Sequence, residues 1–210
     1  MNEYAATMIG FSKSAEVVSS QESVWIASAR NGDVRAFNSL VLKWEKRVYN
    51  IALRMLGNRE EAEDASQEIF LLAWRNLRRF RRDSKFSTWL CRIAINHCLT
   101  RLRQRPQGLH QTLPEENEAN CPSGFQFAET QTESLLRGER QKRILEAMAR
   151  LSPDQRAVIE LKFFQEMTFE EIGAALNVPL STIKSRLYSG LAELRVKLGN
   201  FAGGGYEFQM

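Results

Sequence analysis

Histidine and cysteine are scarce in this chain of 210 residues, with two and three respectively. His97 and His110 form no Ser-His-Asp, Cys-His-Asn or paired-carboxylate arrangement with assignable roles, and no Gly-rich phosphate loop occurs. No catalytic residue is therefore expected. Cys91, Cys98 and Cys121 are too few and too irregularly placed to staple a secreted fold or close a zinc site, so they read as reduced thiols with no metal or cofactor. Cys91 and Cys98 stand on one face of a predicted helix from which His97 turns away by about 100°. A metal or redox sensor there competes with two small buried hydrophobes. No apolar run approaches the roughly 18 residues of a membrane span, and the first twenty residues lack the basic start and apolar run of a signal peptide. A cytoplasmic chain is expected. Prolines number only five and no alternating strand pattern competes, so the predicted fold class is all-α.

Charge of one sign is missing from two segments in turn. Between Arg75 and Arg105 ten Lys or Arg face one acid, Asp83, a net charge of +9; from Pro106 to Leu136 there are five Glu and no Lys or Arg. The basic block is interleaved with Phe80, Phe86 and Trp89. Its guanidiniums can neutralise phosphates and its rings can stack bases, with a solvated helical face as the bland alternative.

Apolar residues from Phe37 to Met55 recur three or four apart and predict a helix capped by Asp33 and ended by Gly57. Asn58 and Glu61 suggest a capping box, and Ala62, Ala65, Ile69, Leu72, Ala73 and Leu77 give the buried stripe of a second helix. A third helix from about Phe86 turns Trp89, Leu90, Ile93, Ala94 and Leu102 inward. Its other face carries Arg92, Asn96, Thr100 and Arg103, a polar stripe suited to a nucleic-acid groove. Periodicity fails from Pro106 to about Thr132 and resumes at Leu135. The expected organisation is an extension (1–24), a helical domain (25–105), a flexible acidic linker (106–132), a second helical domain (133–198) and a tail (199–210).

In the second domain Ser152-Pro153-Asp154-Gln155 and Thr168-Phe169-Glu170-Glu171 both read as capping boxes, the first opening a helix through Phe164. Ile172, Leu176, Val178, Ile183 and Leu187 then fit a helix-turn-helix, with Gly173 small where the helices cross, Asn177 at the turn and Pro179 stopping the first helix. The second helix would expose Ser181, Thr182, Lys184, Ser185, Arg186, Tyr188 and Ser189 toward phosphates and base edges. An αα-hairpin packed only on its own domain is the structural alternative.

These residues resemble the extracytoplasmic-function (ECF) group of bacterial RNA polymerase sigma factors, in the sigma-70 family. The matching pattern is Gly32-Asp33 with Ala36-Phe37, Ala62-Glu63-Asp64 with Gln67-Glu68, Phe70 and Trp74, Phe86-Ser87-Thr88-Trp89-Leu90 with Arg92-Ile93-Ala94 and Asn96, then Leu151-Ser152-Pro153, Glu170-Glu171-Ile172-Gly173 and Ser181 through Leu187. The resemblance implies a region 2 bundle that binds core polymerase and the promoter −10 element, and a region 4 helix-turn-helix that binds −35. It places Asp64, Gln67, Glu68, Phe70, Leu71 and Trp74 against the β′ clamp helices, and region 4 on the β flap. It puts Phe80, Arg81, Arg82, Ser84, Lys85, Phe86, Trp89, Arg92, Asn96, Thr100 and Arg103 at the −10 element, where the Phe80–Phe86 loop captures a flipped base. Ser181, Thr182, Lys184, Ser185, Arg186, Tyr188 and Ser189 fall at −35, Ser189 standing where relatives commonly carry a cation. Implied partners are core RNA polymerase, promoter DNA and an anti-sigma factor, often membrane-bound in such systems, with no direct membrane insertion by this chain.

Two other functions compete. One is an ordinary helix-turn-helix regulator, which would carry a sensor or dimer domain in place of the basic aromatic block; the other is a single-stranded RNA-binding module.

Overall fold

A computed structural model describes residues 21–81, 84–105 and 142–199. Arg82, His110, Cys121, the acidic segment and both termini lie outside the described residues. Within them the chain is helical and contains no strand. The order is α1 (21–30), α2 (Val34–Leu56), α3 (Arg59–Asn76), a 3-10 turn (Leu77–Arg79), α4 (Phe86–Gln104), α5 (142–149), α6 (Pro153–Ile159), α7 (Phe169–Leu176) and α8 (Leu180–Gly199).

Local chemistry sets these boundaries. The Asp33 carboxylate accepts from the amides of Arg35 and Ala36 at 2.8 and 3.2 Å, and Gly57 ends α2 in the left-handed region while its N–H donates to the Leu53 carbonyl. The Asn58 amide oxygen accepts from the Glu61 N–H, but only that half of the expected capping box forms, because the Glu61 carboxylate pairs with Arg105. Ser152 with Gln155 and Thr168 with Glu171 make complete reciprocal boxes. The helix opened by Ser152 does not run regularly to Phe164. After Ile159 it widens into a π turn over Glu160–Phe164, closed by the Gln165 N–H on the Glu160 carbonyl at 3.1 Å.

The first group of helices packs α2 against α3 and α4 around Leu40, Ile51, Met55, Leu56, Ile69, Leu90 and Ile95, all essentially without solvent exposure. Each such side chain contributes about 1.5–3 kcal/mol of burial. The second group packs α6 on α8 and α7 on α8. At the α6–α8 crossing, a Cβ on Gly190 would lie 2.9 Å from Ile159 Cδ1. At the α7–α8 corner, Asn177 takes φ 54° and a Cβ on Gly173 would lie 3.2 Å from the Val178 carbonyl oxygen. Pro179 does not stop α7, which is already capped by Asn177; its carbonyl instead accepts the Ile183 N–H in the first turn of α8.

The two groups are not merely tethered. Helix α4 packs on α2 and α3 and also on α6 and α7. This second contact widens its inward face beyond the expected stripe: Cys91, Ile95, Cys98 and Leu99 are buried with Leu90 and Ala94, while Trp89, Ile93 and Leu102 are only partly covered.

Candidate nucleic-acid and polymerase interfaces

Three surfaces carry the residues singled out by the sequence. The first is the groove between α2 and α3. Ser66, Gln67, Phe70, Leu71 and Trp74 recur along one stripe of α3 and face Phe37, Val41 and Leu42 of α2 across it. Trp74 is anchored by Phe37, their rings 4.8 Å apart and tilted by 54°, whereas Leu71 and Leu42 are 55 and 71% exposed. An apolar channel with a fixed indole and unpartnered leucines suits a helical partner. The expected acidic strip divides here. Asp64 is exposed but does not line the groove, and Glu68 turns to α4, where its carboxylate lies 2.7 Å from Arg101 and 3.0 Å from His97. Burial holds the His97 imidazole below the ordinary histidine range, Arg101 adding to that shift and Glu68 opposing it.

The second surface is the outer face of α4. Arg92, Asn96, Thr100 and Arg103 are all exposed on it, two guanidiniums with an amide and a hydroxyl between them. Its neighbour, the loop before α4, exposes Arg81, Ser84 and Lys85. The rings of that loop do not form an open base platform, which corrects the expectation for Phe80 and Phe86. Each is only 5–6% exposed, and Phe80, Phe86 and Trp89 pack on one another at centroid distances of 5.1–5.8 Å, with Trp44 at 6.2 Å from Phe86. Three rings each gain more by mutual burial than any could by standing in water. Trp89 alone retains partial exposure.

The third surface is the first half of α8. Ser181, Lys184, Ser185, Tyr188 and Ser189 are exposed, and Thr182 and Arg186 are partly so. Lys184 lies 5.9 Å from the Phe169 ring, and Ser189 accepts a hydrogen bond from Gln155 at 3.0 Å. Arg186 is held 2.7 Å from the Asp154 carboxylate.

Burial raises the thiols of Cys91 and Cys98 to about 11 and about 12, leaving both protonated at neutral pH. No group of three metal-ligating side chains occurs among the described residues, nor is any helix among them long and apolar enough to cross a membrane.

Sequence reasoning missed the polar residues joining the two helix groups. Glu160 is fully buried and takes both guanidinium arms of Arg54, Nε at 2.6 Å and Nη2 at 2.8 Å. Gln165 donates to the same carboxylate at 2.9 Å and accepts from Arg47 at 2.5 Å. The Arg156 guanidinium donates to the carbonyls of Met55, Ala149 and Leu151; burial first, then Arg105, lower its proton affinity to about 10. One signal was present: Glu160 interrupts the apolar run from Ala157 to Leu161, an unusual place for a solvated acid.

Comparison with known proteins places two segments of the chain in known families. Residues 40–106 match sigma-70 region 2 and residues 147–196 match sigma-70 region 4. The chain is 31% identical over 172 residues to the RNA polymerase sigma-H factor of Pseudomonas aeruginosa, covering 80% of this chain and 89% of that protein. It is 32% identical over 176 residues to the ECF RNA polymerase sigma factor SigW of Bacillus subtilis, covering 82% and 94% respectively. Among solved structures, CnrH in complex with the cytosolic domain of CnrY has the same fold, with a TM-score of 0.60 at 23% identity over 86% of this chain and 98% of that one. The sigma factor RpoE in complex with the anti-sigma factor NepR from Bartonella quintana gives 0.58 at 22% identity over 79% and 98%. With regions 2 and 4 in order and relatives matched over most of their length, this chain belongs to the ECF sigma factors of the sigma-70 family, the subunits that give RNA polymerase promoter recognition and start transcription.

Proposed function

We propose that α3 and its groove dock core RNA polymerase, that the α4 stripe reads the −10 element, and that the first half of α8 reads −35 from a major groove. The observation that carries this reading is the exposed row Arg92, Asn96, Thr100 and Arg103 in the same chain as an α8 face of hydroxyls and cations. A helix-turn-helix regulator needs only the second of these. In the groove, Gln67, Phe70, Leu71 and Trp74 are the contact residues, with Asp64 and Glu68 beside them. The proposed units are 25–105 for polymerase and −10 binding and 133–198 for −35 and β-flap binding, with 106–132 as tether.

Melting requires no bond chemistry from this chain. Flipping a base costs a few kcal/mol of stacking and pairing. In this reading Asn96, Trp89 and the cations Arg81 and Lys85 offset it, together with Arg82, which lies outside the described residues, while Phe80 and Phe86 are buried against Trp89 rather than stacked on the base. Nucleotide addition belongs to the polymerase, and the chain acts in the cytoplasm with the polymerase and the chromosome. The complex of the sigma factor RpoE with the anti-sigma factor NepR supports an anti-sigma factor as a third partner.

The test is reconstitution. Purified chain mixed with sigma-free core polymerase should co-elute and initiate run-off transcripts at defined sites on genomic fragments. Failure to associate with core, together with duplex binding by the chain alone, would favour the regulator.

A further inference from the structure

Resting on that reading, we propose that the crevice between the end of α1 and the 3-10 turn is a phosphate site, and that it holds a backbone phosphate of the DNA strand whose −10 bases the α4 stripe reads. The crevice is open, measures about 520 Å3 and is lined by Ala27, Arg30, Asn31 and Arg78. Helix α1 lies before residue 40, where the match to sigma-70 region 2 begins, and none of the four residues belongs to the three surfaces described above.

The crevice follows from how the two elements are anchored. Ile26 and Ala29 turn into the core, which leaves Ala27, Arg30 and Asn31, three and four positions apart, on an outer stripe of α1. Only a methyl group stands at Ala27, so the space beside it stays open. Opposite, Leu77 and Phe80 are buried and the Phe80 N–H closes the turn on the Leu77 carbonyl at 3.1 Å, which leaves Arg78 and Arg79 between them exposed. Two guanidiniums and a carboxamide thus meet without an acid. Neither Arg30 nor Arg78 has an ion pair or hydrogen bond among the described residues. The two acids nearest to Arg30 in sequence are engaged elsewhere, Asp33 in capping α2 and Glu22 with Lys43 and Trp44. The Ser28 and Ala29 carbonyls at the end of α1, which would repel an anion if bare, accept from the N–H groups of Asn31, Gly32 and Asp33.

Planar guanidiniums with no carboxylate of their own bind phosphate through paired N–H···O bonds, and an amide adds a further donor. A free anion would find the same groups, but the turn runs directly into the loop that exposes Arg81, Ser84 and Lys85 ahead of the α4 stripe. Exposed Arg75 and Arg79 flank Arg78 in sequence. A line of cations of this length suits a polyanion better than a single small ion. Phosphate contacts fix the register of a strand and carry no base preference, so this site positions the −10 element rather than reads it.

The experiment is a scan with neutral methylphosphonates. The full-length chain, reconstituted with core polymerase, is titrated by fluorescence anisotropy with single strands that carry the −10 element of a promoter mapped by run-off transcription and extend several nucleotides to either side, each with one phosphate made neutral. The unmodified chain should lose about three- to tenfold in affinity at one phosphate outside the −10 bases. Arg30→Gln and Arg78→Gln should bind the all-phosphate strand more weakly by a like factor and no longer respond to that neutral position, with a salt dependence shallower by about 0.7 per lost contact. Ala27→Leu, which fills the crevice and removes no charge, should also weaken binding and lose that response. Affinities and salt dependences equal to those of the unmodified chain overturn the site, and so does a variant that weakens on every strand alike while keeping its response. Loss in the arginine variants with none in Ala27→Leu overturns the crevice and leaves only a diffuse field. A titration with ATP tests the other source of phosphate: nucleotide binding lost in the arginine variants, with strand affinity intact, overturns the strand as ligand. A chain that neither joins core polymerase nor yields run-off transcripts instead overturns the sigma reading on which the proposal rests.

Discussion

Arg186 is the residue whose surroundings say most about how recognition is set. Its guanidinium is partly exposed on the first half of α8 and is oriented by the Asp154 carboxylate. If α8 meets DNA as proposed, Arg186 must exchange Asp154 for a base edge or a phosphate. Arg186→Ala should weaken binding by about 1–3 kcal/mol at one base position if the side chain reads an edge, and evenly across sequences with a shallower salt dependence if it meets phosphate. Anisotropy titrations on duplex variants at matched salt check this, and unchanged binding contradicts it. His97 gives a second prediction at this scale. Burial lowers its proton affinity in the folded chain relative to the unfolded one, so unfolding takes up a proton as pH falls through the ordinary histidine value of about 6.5. Stability from this group is present above that pH and is lost below it. Melting temperatures measured between about pH 7.5 and 5.5 should fall less steeply in His97→Gln than in the unmodified chain. Parallel slopes would show that His97 does not titrate differently on folding.

At the scale of elements, caps and crossings decide which faces are offered. Two complete capping boxes start α6 and α7, and a left-handed Asn177 turns α7 into α8, so α8 leaves its corner at a fixed angle. These features were legible because each depends on residues three or four apart. The position of Gly190 was not. Its need for a missing side chain arises from Ile159, thirty-one positions earlier, on a helix that crosses α8. Gly190→Val should cost about 1–3 kcal/mol through overpacking against Ile159, read as a lower denaturation midpoint with an unchanged slope. An unshifted midpoint would mean that the α6–α8 crossing relaxes freely. The same distinction explains the aromatic loop. Phe80, Phe86 and Trp89 have the composition of a stacking platform, but composition does not say that the rings can cover one another, and in the folded chain they do.

For the whole molecule, the order of region 2 and region 4 was readable from two motif sets, each local, whereas their mutual packing was not. That packing runs through Arg47, Arg54, Asp154, Arg156, Glu160 and Gln165, whose partners are about a hundred positions away or on another helix group. A charged residue in an apolar run signals that something must satisfy it, but not what.

The most direct measurement of the central claim is a nuclease footprint of core polymerase plus this chain on a promoter mapped by run-off transcription. The account predicts protection across both the −35 and −10 elements that requires polymerase and chain together, with Arg186→Ala thinning the −35 protection and Asn96→Ala relaxing discrimination at −10. Protection of a single site by the chain alone, unaffected by polymerase, would contradict it.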